Sequence, residues 1–256
     1  MGKPDFTYLL PKISIITVVY NDEKLIELTL QSIQRQTYPN IEYIIIDGNS
    51  TDNTIRIIKK YETNLAFLLS EPDKGLYDAM NKGLNKATGD YVCFINSGDQ
   101  FYSDSTLESV FGKLQILPDL IYGETTIIKP NGEEIGLRRL KAPESLTWES
   151  FKNGMVVCHQ SVYVKRTIAE PFNLKYKIAS DYEWVLKSLK KAESIYNSKL
   201  ILTKFIDGGL SKKNIRRALA ERFKIMVENY GLIPTLYRHF IIGLKFISYY
   251  YKNKRF

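Results

Sequence analysis

Residues 13–19 read ISIITVV and residues 41–47 read IEYIIID. Both are short apolar runs rich in β-branched residues, which is the pattern of buried strands. Between them, Ile26, Leu30 and Ile33 stand at helical spacing. The two runs therefore predict a strand, a helix and a second strand. Strands that are buried on both faces and joined by helical crossovers form a parallel sheet.

The same alternation continues along the first part of the chain. Further elements are predicted as a helix at Thr54–Tyr61, a strand at Ala66–Leu69, a helix at Leu76–Lys86 and a strand at Tyr91–Ile95. We therefore expect an α/β fold with a mostly parallel, Rossmann-like sheet and helices on both faces. In such sheets, ligands bind beyond the carboxyl ends of the strands.

The pattern changes after Asp104. The elements predicted there are a helix at about 104–117, antiparallel strands at 120–128 and 134–140 joined by Asn131-Gly132, a strand opened by His159 and Gln160, a helix from Asp181 to about Ala192 with a capping box at Ser180, and a strand at Leu200–Ile206. We divide the chain into a domain at 1–211, with a nucleotide half at about 11–103 and an acceptor half at about 104–211, and a tail at 212–256.

The net charge of +8 is concentrated in the tail. Residues 212–256 hold 11 Lys and Arg against 2 Glu, which leaves 25 basic and 26 acidic residues in 1–211. A nearly neutral main body argues against nucleic acid as a partner. Cys93 and Cys158 are isolated from each other, which favours a reducing, cytoplasmic location.

Apolar residues in the tail recur at helical spacing among the basic ones. This pattern predicts C-terminal amphipathic helices that lie on a membrane surface rather than span it. We therefore expect a peripheral protein on the cytoplasmic face of a membrane. A C-terminal helix that folds back on the main domain, or forms a dimer contact, is the alternative.

Polar clusters follow three of the predicted strands: Thr17 with Tyr20-Asn21, then residues 47–52, then residues 96–99. Parallel strands bring these clusters to one edge of the sheet. The sequence contains neither GxGxxG after the first strand nor GxxxxGK[ST], so a glycine-rich phosphate loop does not explain this edge.

Five segments, in this order and spacing, resemble glycosyltransferase family 2. They are Ile13–Asn21 (ISIITVVYN), Ile45–Thr54 (IIDGNSTDNT), Ser70–Gly83 (SEPDKGLYDAMNKG), Ala87–Asp99 (ATGDYVCFINSGD), and His159-Gln160 with Ala179–Glu183. The resemblance is to bacterial enzymes of exopolysaccharide or colanic-acid type. It implies a GT-A fold and an inverting transfer from a nucleotide-diphosphate sugar, UDP-linked by the same resemblance, to a glycan or lipid-linked acceptor in cell-surface polysaccharide assembly.

The resemblance also implies roles for particular residues. Asp181 takes the position of the catalytic base, Asp99 that of the metal ligand for Mg²⁺ or Mn²⁺, and His159 and Gln160 lie near the acceptor. The residues implied in binding the nucleotide sugar are Thr17, Val19, Tyr20, Asn21, Asp47, Ser50, Lys74, Asp78, Asn96, Ser97 and Gly98.

Several of these assignments have a structural alternative. Asp47 is also suited to an Asx turn, and Lys74 to a solvated loop. The segment Asn96-Ser97-Gly98-Asp99 departs from the DxD pattern of many relatives, because it offers one carboxylate. A hard cation needs few protein ligands when a diphosphate supplies oxygens, so this loss is compatible with metal binding.

Other functions are less consistent with the sequence. A processive polysaccharide synthase carries a QxxRW motif and several spanning helices, and this chain has neither, so transfer of a single sugar is preferred. A sugar-1-phosphate nucleotidyltransferase needs a glycine-rich, basic signature near its amino terminus, which is not found. The sparse metal motif leaves a catalytically inactive sugar-nucleotide-binding relative as the main alternative.

Overall fold

The computed structural model describes residues 10–209, 212 and 214–253. The strands among them are β1 (Ile13–Val19), β2 (Ile41–Asp47), β3 (Phe67–Ser70), β4 (Tyr91–Phe94), β5 (Gln100–Phe101), β6 (Leu120–Ile128), β7 (Glu134–Leu137), β8 (Val162–Lys165) and β9 (Ile195–Ile206). The helices are α1 (Ile26–Gln34), α2 (Thr54–Lys59), α3 (Leu76–Lys86), α4 (Thr106–Phe111), α5 (Ser180–Lys191), α6 (Ile215–Tyr230) and α7 (Leu232–Asn253). Three basic residues of the tail lie outside the described residues: Lys213, Lys254 and Arg255.

One sheet runs through the molecule in the order β3-β2-β1-β4-β8-β6-β9-β5, with β7 paired to β6. The strands β3, β2, β1 and β4 are parallel, as the alternation of strands and helices predicted. Beyond β4 the sheet is mixed, because β8 is antiparallel to both β4 and β6, whereas β9 is parallel to β6. The carboxyl ends of β1, β2 and β4 therefore share one edge.

Alternating residues of the parallel strands pack into two hydrophobic cores, one on each face of the sheet. Ile16 and Val18 of β1 belong to the core that includes residues of α3 and α5. Ile13 and Ile15 belong to the core that includes residues of α1 and α4. A strand buried on both faces has no side exposed to water, which explains the continuous apolar run in the sequence.

Several predicted boundaries in the acceptor half are wrong. The helix predicted to reach Leu117 ends at Phe111, and the apolar residues that follow Gly112 pack against the core from an irregular segment. The last strand begins at Ile195 rather than Leu200, since β9 pairs with β6 along its length. His159 and Gln160 form a 3₁₀ turn, and the strand β8 begins after them at Val162.

The capping box predicted at Ser180 is also wrong. Helix α5 begins at Ser180 itself, and the Ser180 hydroxyl donates a hydrogen bond to the carbonyl of Asn173 at 3.0 Å. The side chain is therefore engaged outside the helix, and the amides that precede α5 are bound by another residue, which is described below.

The first helix of the tail, α6, folds back on the main domain. Ile225 and Met226 are buried in the core that contains residues of α5. Tyr230 stacks on Trp148, with 5.3 Å between the ring centroids, and its hydroxyl donates to the Trp148 carbonyl at 2.6 Å. Helix α6 is thus packed against the acceptor half.

The second helix, α7, exposes many of its apolar side chains. Those that are exposed by half or more are Leu232, Ile233, Leu236, Tyr237, Phe240 and Leu244. In the described part of the chain, no helix combines the length and the apolar character needed to cross a membrane.

Candidate active site

A cavity of about 800 Å³ opens at the carboxyl ends of β1 and β4, between the nucleotide half and the acceptor half. The residues predicted for the site that line it are Val19, Tyr20, Asn21, Asn96, Ser97, Asp99, His159, Gln160 and Asp181. The fold therefore brings the ends of the parallel strands together with the start of α5, which lies far from them in the sequence.

Asp181 lies in the first turn of α5 and is 7% exposed. Its Oδ1 accepts a hydrogen bond from the Tyr77 hydroxyl at 3.1 Å and from the Tyr182 amide at 2.9 Å. Its Oδ2 lies 3.2 Å from Nδ1 of His159, a close contact without the geometry of a hydrogen bond. Both oxygens are thus oriented by neighbours at the wall of the cavity.

The surroundings of Asp181 keep the carboxylate ionised. Burial alone would raise the pKa of Asp181, but the contact with His159, the charge of Arg222 and the Tyr182 amide outweigh it, so the pKa lies below its usual value of 3.8. Burial, together with the charge of Asp181, raises the pKa of Tyr77 well above 10.0, so its hydroxyl stays protonated and donates. A carboxylate in this state can accept a proton from a bound hydroxyl group.

The amides that precede α5 are bound by Glu221 of helix α6. Its carboxylate accepts hydrogen bonds from the backbone amides of Lys177 at 3.1 Å, Ile178 at 2.8 Å and Ala179 at 3.1 Å. Successive backbone amides that point to one place favour an anionic acceptor, and a negative charge is also favoured close to a helix start. The tail thus holds the segment that leads into Asp181.

Asp99 is 2% exposed, and both of its oxygens are engaged. Oδ2 accepts from the Gln160 amide at 2.7 Å, and Oδ1 accepts from the backbone amide of Ile206 at 3.0 Å. Burial raises the pKa of Asp99 to about 6. Gln160 is occupied too, because its oxygen accepts from the Cys158 thiol at 2.6 Å. The hydrogen bond between Asp99 and Gln160 therefore ties the loop after β4 to the acceptor half.

Two further oxygen-bearing side chains stand beside this loop. Asn96 lines the cavity, and its Oδ1 is buried without a hydrogen-bond partner among the described residues. Asp22, which sequence reasoning did not single out, also lines the cavity and accepts from the Ser97 hydroxyl at 2.6 Å. No group of three His, Cys, Asp or Glu in the described part of the chain is arranged to hold a metal ion.

These residues fit a cation that takes most of its ligands from a bound diphosphate. Carboxylate and amide oxygens are the donors that Mg²⁺ and Mn²⁺ prefer, and the Oδ1 atom of Asn96 has a free lone pair for this purpose. A cation held by protein side chains alone would need more ligands than the site offers.

Some residues predicted to bind the nucleotide sugar have other partners. Thr17 is buried and donates to the Ile95 carbonyl at 2.7 Å. Asp47 is buried and accepts from the Ser50 amide at 2.9 Å and from the Ser70 hydroxyl at 2.6 Å. The Ser50 hydroxyl in turn accepts from the backbone amide of residue 21 at 2.8 Å. These side chains hold the loops after β1 and β2 in place rather than line the cavity.

Three others also lie off the cavity wall. Gly98 has φ of +92°, a conformation that favours glycine, so it forms the turn after β4. The Asp78 carboxylate accepts from the backbone amide of Lys74 at 2.9 Å, which closes the loop before α3. The side chain of Lys74 is exposed. Their predicted contacts with the nucleotide sugar stay predictions.

Among the described residues, four basic ones line the cavity that were not found by sequence reasoning. They are Arg138, Lys177, Lys212 and Arg222, and we call them the cationic wall. All belong to the acceptor half or the tail. A single basic residue on a loop or on a basic helix carries no local signal that distinguishes it from its solvated neighbours.

The sequence profile described as Glycosyl transferase family 2 matches residues 14–170. The chain belongs to glycosyltransferase family 2. It is a transferase enzyme, and the resemblance drawn from its motifs is confirmed.

A relative and two solved structures show what this family member is similar to. The UDP-Glc:alpha-D-GlcNAc-diphosphoundecaprenol beta-1,3-glucosyltransferase WfgD of Escherichia coli is 27% identical over 94% of this chain and 97% of its own. S. aureus TarS 1-349 in complex with UDP-GlcNAc has a TM-score of 0.67 at 19% identity, over 94% of this chain and 73% of that one. Mannosyltransferase PcManGT from Pyrobaculum calidifontis, in complex with GDP-Man and Mn²⁺, has a TM-score of 0.63 at 18% identity, over 91% and 70%.

These similarities confirm the GT-A fold of the family 2 enzyme. The likeness to the two solved structures concerns the fold alone. The donor, the acceptor and the metal of this enzyme therefore have to be argued from its own site.

Proposed function

We propose that this enzyme transfers a single sugar, with inversion, from a UDP-linked sugar to a glycan or lipid-linked acceptor in cell-surface polysaccharide assembly. The main support is the state of Asp181. This carboxylate lies at the cavity wall, is oriented by Tyr77 and His159, and has a lowered pKa.

Asp181 acts as the general base in this proposal. It accepts the proton of the acceptor hydroxyl as that oxygen attacks the anomeric carbon. A nucleoside diphosphate leaves without needing an acid, so one carboxylate is enough, whereas glycosidases generally use two. Attack from the side opposite the leaving group inverts the anomeric configuration.

The donor is proposed to lie along the strand ends of the nucleotide half. Val19, Tyr20 and Asn21 line that side of the cavity, and Asp47 with Ser50 supports the adjoining loop. A UDP sugar is supported by the donor named for WfgD and by the ligand in the TarS structure. The acceptor is proposed to contact His159 and Gln160, which line the cavity from the acceptor half.

Mg²⁺ or Mn²⁺ is proposed to bind with the diphosphate beside Asp99, and the PcManGT structure contains Mn²⁺. Asn96 and Asp22 supply the oxygens that stand next to that loop. When bound, the cation neutralises charge on the departing diphosphate. Gln160 keeps Asp99 oriented, because it donates to one of the carboxylate oxygens.

The acceptor is proposed to approach from the cytoplasmic face of a membrane to which the enzyme binds peripherally. The exposed apolar side chains of α7 and the basic residues of the tail would meet that surface. The lipid-linked acceptor named for WfgD is consistent with such a location.

A panel of nucleotide sugars tests this function. The full-length enzyme is incubated with each donor, Mn²⁺ and octyl glycoside acceptors, and both nucleoside diphosphate release and the anomeric configuration of the product are measured. We expect release from a UDP sugar and an inverted product. Binding of UDP without turnover of any donor would instead indicate an inactive sugar-nucleotide-binding relative.

A further inference from the structure

The two sides of the cavity differ in charge. Of the residues that the structure describes, the acceptor half and the tail contribute the four residues of the cationic wall and two carboxylates, Asp181 and Asp207. From the nucleotide half, the charged lining residues in the described part of the chain are Asp22, Asp73 and Asp99, with no Lys or Arg. An anionic group that enters the cavity is therefore attracted to the acceptor side.

Within the cationic wall, two members already have partners. Lys212 pairs with Asp207 at 2.9 Å. Arg138 donates to the Met155 carbonyl at 3.1 Å. The two remaining members are Arg222 and Lys177. Within residues 10–209, 212 and 214–253, their side chains have neither an ion pair nor a hydrogen bond.

Arg222 is half-buried and is distinguished by one nitrogen of its guanidinium group. Its Nε is buried and has no hydrogen-bond partner among the described residues. A buried guanidinium nitrogen without an acceptor is unfavourable, so the site is better satisfied when a ligand supplies one. The guanidinium group matches phosphate oxygens with paired N–H donors.

The backbone around Arg222 is held firmly. The preceding residue, Glu221, binds the amides of residues 177–179, and Arg217 pairs with Glu221 at 2.8 Å. Lys177 lies on the segment that Glu221 binds. One anchor therefore holds both Arg222 and Lys177 at the same side of the cavity, next to the helix that carries Asp181.

We propose that Arg222 and Lys177 form a binding site for a diphosphate group, so that helix α6 of the tail takes part in substrate recognition. The proposal rests on the proposed function, in which this cavity is the active site. Its ligand class is a sugar diphosphate.

Two substrates could bring a diphosphate to this site. One is the donor, and the other is an acceptor sugar linked through a diphosphate to a lipid. The position favours the acceptor, because in an inverting displacement the donor diphosphate leaves on the side opposite the base. Arg222 follows Glu221, whose carboxylate binds the backbone directly before the helix of Asp181, so Arg222 lines the cavity on the base's side.

The test uses Arg222→Gln in the full-length chain and isothermal calorimetry with four probes. UDP and inorganic pyrophosphate report on phosphate binding alone. Octyl GlcNAc-diphosphate, offered in the presence of saturating UDP, is compared with octyl GlcNAc, which lacks the phosphates. The matched control is Arg216→Gln, since Arg216 is an exposed arginine on the same helix. Thermal unfolding checks that each variant is folded, and Arg222→Lys keeps the charge.

A loss of affinity of about 10- to 100-fold is expected for octyl GlcNAc-diphosphate with Arg222→Gln, which is the range for hydrogen bonds to charged groups. Octyl GlcNAc binding and the Arg216→Gln variant should change by less than about twofold, and Arg222→Lys should lose less than Arg222→Gln. If UDP alone loses affinity, the site still binds a diphosphate, but that of the donor.

The proposal is overturned if Arg222→Gln, folded, binds all four probes like the wild type. It is also overturned if binding is unchanged and the acidic limb of the pH profile of kcat moves to higher pH. Arg222 would then act on the pKa of Asp181 alone. These binding measurements do not require turnover, whereas the proposed function is tested by nucleoside diphosphate release. A failure of the diphosphate site can therefore be distinguished from a failure of the proposed function.

Discussion

The two sides of the cavity are held in place in different ways. On the nucleotide side, the loops after β1 and β2 are held by contacts within that half: Asp47 binds the Ser50 amide three residues later, and the Ser50 hydroxyl accepts from the amide of residue 21. On the acceptor side, Gln160 binds Asp99 across 61 residues, and Glu221 binds the Ala179 amide across 42.

This contrast indicates which side of the cavity depends on the complete fold. The loops after β1 and β2 are held by partners that all lie within the nucleotide half. The segment before Asp181, in comparison, is held by a carboxylate that arrives only when α6 has docked. The predictions that follow test this contrast, in order of decreasing expected effect.

The substitution Asp181→Asn should act on chemistry and leave the nucleotide side intact. As the base, Asp181 contributes roughly 10² to 10⁴ in rate, so turnover should fall at least about 100-fold while UDP affinity stays within about twofold. Steady-state UDP release and calorimetry measure the two quantities. Asp104→Asn, at an exposed carboxylate, serves as the control. Turnover within a few-fold of the wild type would contradict the assignment.

The substitution Glu221→Ala should destabilise the acceptor side. Three backbone amides before α5 lose their acceptor, so the free energy of unfolding in urea should be about 2–3 kcal/mol lower than in the wild type. Turnover should fall as well, because the segment that positions Asp181 is released.

Glu228→Ala is the matched control for this variant, on the same helix. Its partners are the side chains of Lys175 and Tyr176, and Glu228 is itself exposed, so solvent screens its charge and a smaller loss is expected. Equal losses in the two variants would show that Glu221 has no special role at the start of α5.

Replacement of exposed apolar residues on α7 tests whether the tail meets a membrane. Ile233 and Phe240 are 81% and 66% exposed, so Ile233→Ser with Phe240→Ser should leave the fold unchanged. Co-sedimentation with phosphatidylglycerol vesicles should weaken by about tenfold, because less apolar surface enters the interface. Ile116→Ser, at an exposed isoleucine of the main domain, is the control. Unchanged sedimentation of the α7 variant would refute the membrane role.

The smallest effects are expected on the nucleotide side. Asp47→Asn and Ser70→Ala each weaken the same partly buried hydrogen bond, so each should lower the free energy of unfolding by about 1 kcal/mol. If Asp47 also contacts the nucleotide, Asp47→Asn should in addition lower UDP affinity by about tenfold, and Ser70→Ala should not. Calorimetry with UDP decides, and equal UDP affinities in the two folded variants would limit Asp47 to supporting its loop.

Local signals in the amino-acid sequence were sufficient to predict β1, β2 and β4 and the helices between them. Their apolar runs and helical spacings are local patterns that span only a few residues. Strands that are buried on both faces are typical of a parallel sheet. The ordered motifs also predicted that Asp181, His159 and Asn96 belong to one site, and the structure brings them together at the cavity.

The contacts that hold the acceptor side together were decided only by the tertiary structure. Ser180 was predicted to cap α5, but the amides before that helix are bound by Glu221, because α6 docks against them. Arg222 reaches the cavity for the same reason. Neither contact has a sequence signal, since both depend on the packing of Ile225 and Met226 against a core assembled from distant segments.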